Sequence, residues 1–164
     1  MFRYLIFTLS ILIGPAFIGP VFAEPHQEVG MSGGWAIKVN PNNGNGCYMQ
    51  KDFETGTLVQ VGVVPNREGA FFAAYNPAWA DIREGEVGTL LFDFHDARFQ
   101  GEVVGSFVEG TPGGYAFFNN PEFVSEFGRR LAVNVTGDGG GSEVIDLSGS
   151  SKAIAAVKAC QSNQ

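Results

Sequence analysis

Short apolar runs, separated by breaks rich in glycine, proline and asparagine, recur along most of the chain. The run from Thr57 to Val63 alternates most clearly, with a β-branched residue at every second position. A period of two fits the two faces of a β-strand and not the three-to-four-residue repeat of a helix. The same pattern predicts further strands over residues 35–39, 47–53, 70–75, 86–94, 98–108, 115–118, 131–135 and 143–147. We therefore predict a mainly β fold, an antiparallel β-sandwich or barrel-like sheet of about eight or nine strands.

Two segments depart from the strand pattern and predict helices. Asn120 can cap a short internal helix, because Pro121 stands at the position where proline is tolerated best. A second helix is predicted at the C-terminus over residues 150–160, capped by Ser148 or Ser150, with an apolar stripe along one side.

The first residues have the order of a secretory signal peptide, since one positive charge, Arg3, precedes an apolar run that ends in small residues. We predict cleavage between Ala23 and Glu24, and a retained membrane anchor is the alternative. We expect no membrane span after cleavage and an exported protein, periplasmic or secreted. The predicted organisation is a signal peptide at 1–23, a flexible leader at 24–34 and one β-sandwich domain at 35–164.

Composition narrows the class of protein further. Hydrophobic residues make up 45% of the chain, which argues for a folded core, and the roughly 140 residues that remain after the predicted cleavage suit a single domain. The formal net charge is −7, with the acidic residues scattered singly. Because nucleic acids and anionic lipid surfaces are themselves polyanions, we expect neither as a partner. The oligomeric state stays open.

The chain contains two cysteines, Cys47 and Cys160. In an exported protein such a pair is most simply a disulfide, because an oxidising compartment rarely leaves thiols free. Free thiols and a redox or metal-binding pair are the alternatives, although a redox dithiol normally shows the short Cys-x-x-Cys spacing. A bond between them would join the start of the second predicted strand to the last turn of the terminal helix.

Candidate catalytic groups are few. His95 follows a predicted strand, with Asp93 and Asp96 close to it in sequence. His95 could act as a general base, and either carboxylate could orient its ring. No nucleophile-elbow pattern accompanies them. Glu84 and Glu86 form another acidic pair of the kind a glycosidase uses, if the fold opposes them across a cleft. Polar residues of these types are also typical of exposed turns and of the protein surface, where they have no catalytic role. We therefore predict no catalytic residue.

The sequence also lacks the patterns that are typical of a cofactor or metal site. The glycine-rich segment 136–141 has one carboxylate, too few for a calcium loop, and lacks the Lys-Ser/Thr ending of a phosphate-binding loop. Two histidines and two cysteines far apart in sequence are a poor zinc set. We predict no cofactor and no metal ligand.

Aromatic residues suggest a binding surface instead. Trp79 and Tyr75, together with Trp35, are of the amphipathic type that dominates recognition surfaces for peptides or sugars. Burial in the core or over a sheet edge is the alternative. We name Trp79 and Tyr75 as possible binding aromatics.

Several local patterns together resemble a known group of proteins. They are Gly34-Trp35-Ala36-Ile37 before Cys47, the turn Asn76-Pro77-Ala78-Trp79, and the ending Asp146-Leu147-Ser148-Gly149-Ser150 with Cys160-Gln161 after it. The chain resembles small exported bacterial domains with no assigned activity and, more distantly, the invasion-associated locus B family. The resemblance implies a β-sandwich with a C-terminal helix, export to the periplasm or surface, and no catalytic residue to carry over.

These observations favour a non-catalytic exported β-sandwich module that binds another protein or an envelope component. Two other functions stay open. One is a small periplasmic hydrolase that uses His95 with Asp93 or Asp96, and the other is an inhibitor of a secreted enzyme.

Overall fold

A computed structural model of the protein describes residues 24–65 and 67–164. The predicted signal peptide, with Ala23 at its cleavage site, lies outside the described residues. The strands are β1 (Gln27–Ser32), β2 (Trp35–Asn40), β3 (Gly46–Asp52), β4 (Leu58–Gly62), β5 (Ala70–Tyr75), β6 (Val87–Asp93), β7 (Arg98–Val108), β8 (Thr111–Phe118), β9 (Ala132–Gly137) and β10 (Ser142–Asp146). The helices are α1 (Pro121–Arg129) and α2 (Ser150–Gln161).

All ten strands belong to one antiparallel sheet, in the order β1-β2-β3-β4-β5-β8-β7-β6-β9-β10. The prediction of a mainly antiparallel β fold with a short internal helix and a C-terminal helix is therefore confirmed. Neither helix in the described part of the chain is long and apolar enough to cross a membrane.

The sheet curls until strands from its two halves meet. Lys51 at the end of β3 lies 3.3 Å from the carboxylate of Asp146 in β10. Thr57, just before β4, donates to Glu143 of β10 at 2.7 Å. The Trp35 indole N–H also donates to the carbonyl of Ser148, just beyond β10. One sheet thus folds over its own inner face, in keeping with the predicted sandwich or barrel-like arrangement.

The inner face holds the aromatic core. Phe72 and Phe92 meet edge to face with ring centroids 4.8 Å apart, which joins β5 to β6 across the curl. Helix α1 adds Phe123 and Phe127, both fully buried, because residues four apart share one side of a helix. The Asn120 side chain accepts from the backbone N–H of Glu122, so the predicted cap of this helix is confirmed.

Helix α2 packs against the inner side of the first strands. The predicted disulfide between Cys47 and Cys160 is formed, and the Cys47 backbone N–H donates to the side-chain carbonyl of Gln161 at 2.9 Å. The predicted serine cap is wrong, because Gly149, in a left-handed conformation, is the N-cap residue. Ser150 donates instead to the Phe127 carbonyl and ties α2 to α1.

Two boundaries differ from the sequence predictions. The segment expected to be a flexible leader contains β1, which pairs with β2 through a turn at Gly33 and Gly34. Both glycines have positive φ, as two-residue hairpin turns require. Strand β8 begins at Thr111, four residues before the predicted start, because the expected turn over residues 110–114 is mostly strand paired with β5 and β7.

Candidate functional site

The outer face of the sheet, opposite the core, carries aromatic and amide side chains in the middle strands. Because Cys47, Met49 and Phe72 point into the core, their neighbours along each strand point outward. The outward face of an antiparallel sheet is usually polar. Here five aromatic side chains lie among two glutamines and an alanine, and we call this group the outer aromatic face: Tyr48, Gln50, Gln60, Phe71, Ala73, Tyr75, Tyr115 and Phe117.

Strand register brings these residues together. Phe71 of β5 lies directly opposite Phe117 of β8, and Ala73 lies opposite Tyr115. The rings of Phe71 and Tyr115 stack with centroids 5.5 Å apart. The Arg67 guanidinium lies 3.3 Å from the centroid of the Phe117 ring, within the range of a cation–π interaction. The rings are therefore held in place by contacts within the chain.

Burial differs across the outer aromatic face. Tyr48 is only 2% exposed and Ala73 only 1%. Phe71, Tyr115 and Phe117 are half-buried, so part of each ring stays accessible. The accessible part of the face is thus an aromatic surface around a closely packed centre.

Polar groups at the face are neutral amides and phenols. Gln60 donates to the Gln50 side-chain carbonyl at 3.0 Å, and Ser106 of β7 donates to the Tyr75 hydroxyl at 3.3 Å. Burial raises the pKa of Tyr48 to about 12, with smaller contributions from Glu109 and Tyr75. Burial also raises the pKa of Tyr115. These phenols stay protonated at neutral pH and can donate and accept hydrogen bonds.

His26 lies over one edge of this face. Its Nδ1 is 2.6 Å from the Tyr48 hydroxyl, and the two rings meet edge to face with centroids 5.5 Å apart. Partial burial and then the positive charge of Lys38 lower the pKa of His26, while Glu109 acts in the opposite direction. Glu109 belongs to the turn between β7 and β8, so the end of that hairpin reaches toward the same edge.

The two aromatic residues named from the sequence are not neighbours on one surface. Tyr75 is part of the outer aromatic face. Trp79 is half-buried and packs against the core from the segment after β5, and Trp35 is fully buried in that core. Sequence reasoning missed the other rings of the face. The segment 70–75 could have indicated them, because it has no polar position and such a run is typical of a strand that is covered on both faces.

The candidate catalytic residues form a turn fixed by ion pairs. Asp93 accepts from the His95 backbone N–H at 2.8 Å, not from its imidazole ring, and also accepts from Arg98 at 2.9 Å. These two donors hold the pKa of Asp93 below its usual value. Asp96 pairs with Arg130 at 2.7 Å. Both carboxylates are thus engaged in ion pairs with arginine.

The remaining acidic residues form no metal site within residues 24–65 and 67–164, where no group of three or more metal-ligating side chains occurs. Glu84 and Glu86, separated by Gly85, are both exposed in the segment before β6. A shallow open depression of about 400 Å³ is lined by Glu102 and Asp138, among others. The Asp138 carboxylate, directly after β9, accepts from the backbone N–H of Thr89 in β6.

Comparisons of the chain with protein-family models, curated proteins and solved structures give no match. The resemblance to the invasion-associated locus B family stays a prediction. Fold and site together define a mainly antiparallel β protein in which a disulfide holds the C-terminal helix and aromatic rings lie on the outer side of the middle strands.

Proposed function

We propose that the chain is a non-catalytic exported module that binds another protein or a component of the cell envelope through its outer aromatic face. The observation that carries this proposal is the partial exposure of Phe71, Tyr115 and Phe117 on a sheet face where polar residues are the rule. Both helices pack on the inner face, so their apolar surface is used in the fold. The outer rings are available for a partner.

The chemistry of the face suits recognition. Tyrosine and phenylalanine offer large contact areas with few rotatable bonds, so binding costs little side-chain entropy. Stacking of Phe71 on Tyr115 reduces that entropy further, because the rings are already ordered. Arg67 and the protonated phenols add directional polar contacts around the apolar area.

Export and the absence of catalysis rest on separate observations. The signal-like N-terminus and the Cys47–Cys160 disulfide favour an oxidising compartment. The carboxylates beside His95 are held in ion pairs with Arg98 and Arg130, an arrangement that favours a structural turn over general-base chemistry.

The experiment is capture by cross-linking, with the purified protein as bait in fractionated envelope extract and in secreted material. The test variant is Tyr115→Ser/Phe117→Ser, which removes two half-exposed rings from the face. Its matched control is Leu131→Ser/Val144→Ser, which removes two apolar side chains that are 77% and 67% exposed elsewhere. We expect the test variant to lose about tenfold or more in affinity for the partner, equal to about 1.4 kcal/mol, and the control to keep it.

Equal capture by the wild type and the test variant would place the binding surface elsewhere and contradict the proposal. Recovery of no partner above background in any fraction would also contradict it. Circular dichroism of both variants checks that each change leaves the sheet intact.

A further inference from the structure

The ten-stranded sheet has two edge strands, β1 and β10, and within residues 24–65 and 67–164 their surroundings differ. Strand β10 lies against the first half of the sheet, where Glu143 accepts from Thr57 and Asp146 pairs with Lys51. Strand β1 pairs with β2 alone. One row of its backbone N–H and C=O groups therefore faces no other strand of the described chain, and such a row is a template for a further strand.

The residues directly before β1 do not cover this edge. Glu24 exchanges two hydrogen bonds with Asn42 in the β2–β3 connection, and His26 is hydrogen-bonded to Tyr48 of β3. Both contacts lie on the β2–β3 side of β1, away from its free edge. Five of the six residues of β1 are exposed, so the edge is accessible to another chain.

The side chains of β1 make the edge apolar and locally neutral. Exposed edges usually carry lysine or proline, which discourage pairing, and the sequence of β1 contains neither. Val29 and Met31 are 55% and 64% exposed. The one charged residue, Glu28, lies directly opposite Lys38 of β2, which balances its charge. The edge thus lacks the repulsion that a net charge of −7 gives the chain as a whole.

A second copy of the chain fits this edge by charge and by register. In a two-fold symmetric antiparallel pair, one residue faces its own counterpart and so fixes the register. Pairing centred on Glu28 would set two carboxylates opposite each other, which is unfavourable. Pairing centred on Gly30 puts Val29 opposite Met31 of the second copy and Glu28 opposite Ser32. Each copy then covers the exposed apolar pair of the other, and no like charges meet.

We propose that two copies of the chain pair through β1, antiparallel and centred on Gly30, so that their sheets become continuous. No described atom lies within 4 Å of the position that a side chain at Gly30 would take, so there is room at the two-fold axis. Residues directly opposite each other in an antiparallel pair share one face of the sheet. The outer aromatic faces of the two copies therefore point to the same side.

Pairing would make the protein bivalent. Two outer aromatic faces on one side of a continuous sheet raise the avidity for a partner that presents repeated epitopes, without any new contact in either face. This consequence rests on the proposed function, whereas the pairing of β1 does not.

The bulge between Glu28 and Gly30 limits the strength of the pairing. A bulge adds one residue to the strand and increases its local twist, which is one way in which natural edges are blunted. Regular pairing is thus confined to a few residues around Gly30. We therefore expect a dimer that dissociates on dilution.

Sedimentation velocity of the purified protein over a range of concentrations, up to about 1 mM, tests the pairing. The wild type should approach the sedimentation coefficient of a dimer as the concentration rises. Val29→Lys/Met31→Lys places two lysines on the edge and should raise the dissociation constant about tenfold or more. The matched control Leu131→Lys/Val144→Lys adds the same charge at positions that are 77% and 67% exposed elsewhere, and it should associate as the wild type does.

Cysteine cross-linking tests the register. The variant Val29→Cys/Met31→Cys should form covalent dimers under mild oxidation, since opposite residues of an antiparallel pair lie within reach of a disulfide. Each single variant should cross-link far less, because neither position faces itself when the pairing is centred on Gly30. Circular dichroism checks that the cysteine and lysine variants keep the sheet.

A monomer at every concentration would overturn the proposal, and so would dimerisation that Val29→Lys/Met31→Lys leaves unchanged. Cross-linking of either single variant as efficient as that of the double variant would refute the register. In the capture experiment described above, the lysine variant should recover less partner than its control. If the wild type dimerises but both variants capture equally, bivalent binding is refuted and the pairing stands. If no partner is recovered at all, the proposed function fails and sedimentation alone decides the pairing.

Discussion

Reduction of the disulfide is the perturbation whose magnitude the structure defines best. The bond joins Cys47 at the start of β3 to Cys160 in the last turn of α2, and the two cysteines are 113 positions apart in sequence. A cross-link over that separation lowers the entropy of the unfolded chain, and the loop-closure relation gives about 4.8 kcal/mol of stabilisation at 25 °C. That is a large share of the roughly 5–15 kcal/mol that a domain has in total.

The folded state should survive the reduction. Ala153 and Val157 of α2 stay buried against the sheet, with exposures of 0% and 4%. The hydrogen bond from the Cys47 backbone to Gln161 does not need the bond between the sulfurs. Reduction therefore acts mainly on the unfolded chain, and we expect a folded protein that is about 4–5 kcal/mol less stable.

Urea unfolding of the oxidised and reduced wild type measures this difference, with tryptophan fluorescence as the signal because Trp35 is fully buried. The double variant Cys47→Ala/Cys160→Ala should match the reduced wild type and show no response to reductant. A difference below about 1 kcal/mol would refute the reasoning, since it would mean that the unfolded chain gains almost no freedom when the bond is broken.

Two smaller predictions concern the hairpin turn and the buried phenol. Gly33→Ala should destabilise the protein more than Gly34→Ala in urea unfolding. Both positions have positive φ, which costs an alanine roughly 1–2 kcal/mol, but only at Gly33 would the new Cβ collide with the Gly149 backbone. In ultraviolet titration, one phenol of the folded protein should ionise near pH 12 and be missing in Tyr48→Phe. Because that pKa is raised above the unfolded value of about 10, its contribution to stability is complete below pH 10 and is lost as the pH rises through 12.

Much of the fold could be predicted from short stretches of the sequence. The bounds of β5 and β7 match the predicted strands; Gly69 and Asn76 flank β5, and Gly110 lies just after the end of β7. The start of α1 was equally clear, since Asn120 and Pro121 are a local capping signal. Strand β1 was not predicted, because its polar and apolar residues alternate weakly and all but the last are exposed. Only pairing with β2 defines it as a strand, and the two glycines of the turn were the available signal.

The candidate site was harder to predict, because it depends on contacts between distant strands. Strand β8 pairs with β5 although β6 and β7 lie between them in the chain. This pairing puts Phe117 beside Phe71 and stacks Tyr115 on it. No local pattern specifies that neighbour. Trp79 looked as suitable for binding as Tyr75, and only the three-dimensional packing separates a half-buried core contact from a member of the outer face.

Changes to the outer aromatic face should affect binding with little effect on the fold, because separate contacts hold the inner side. Phe72, Phe92 and Phe123 form the core across the curl, and the disulfide fixes α2 against β3. Thr57, fully buried, accepts from Asn76 and donates to Glu143, which joins the two halves of the sheet. None of these contacts involves Tyr115 or Phe117. A serine at either position removes ring area that is already partly in water, so a loss of capture by that variant can be attributed to the surface itself.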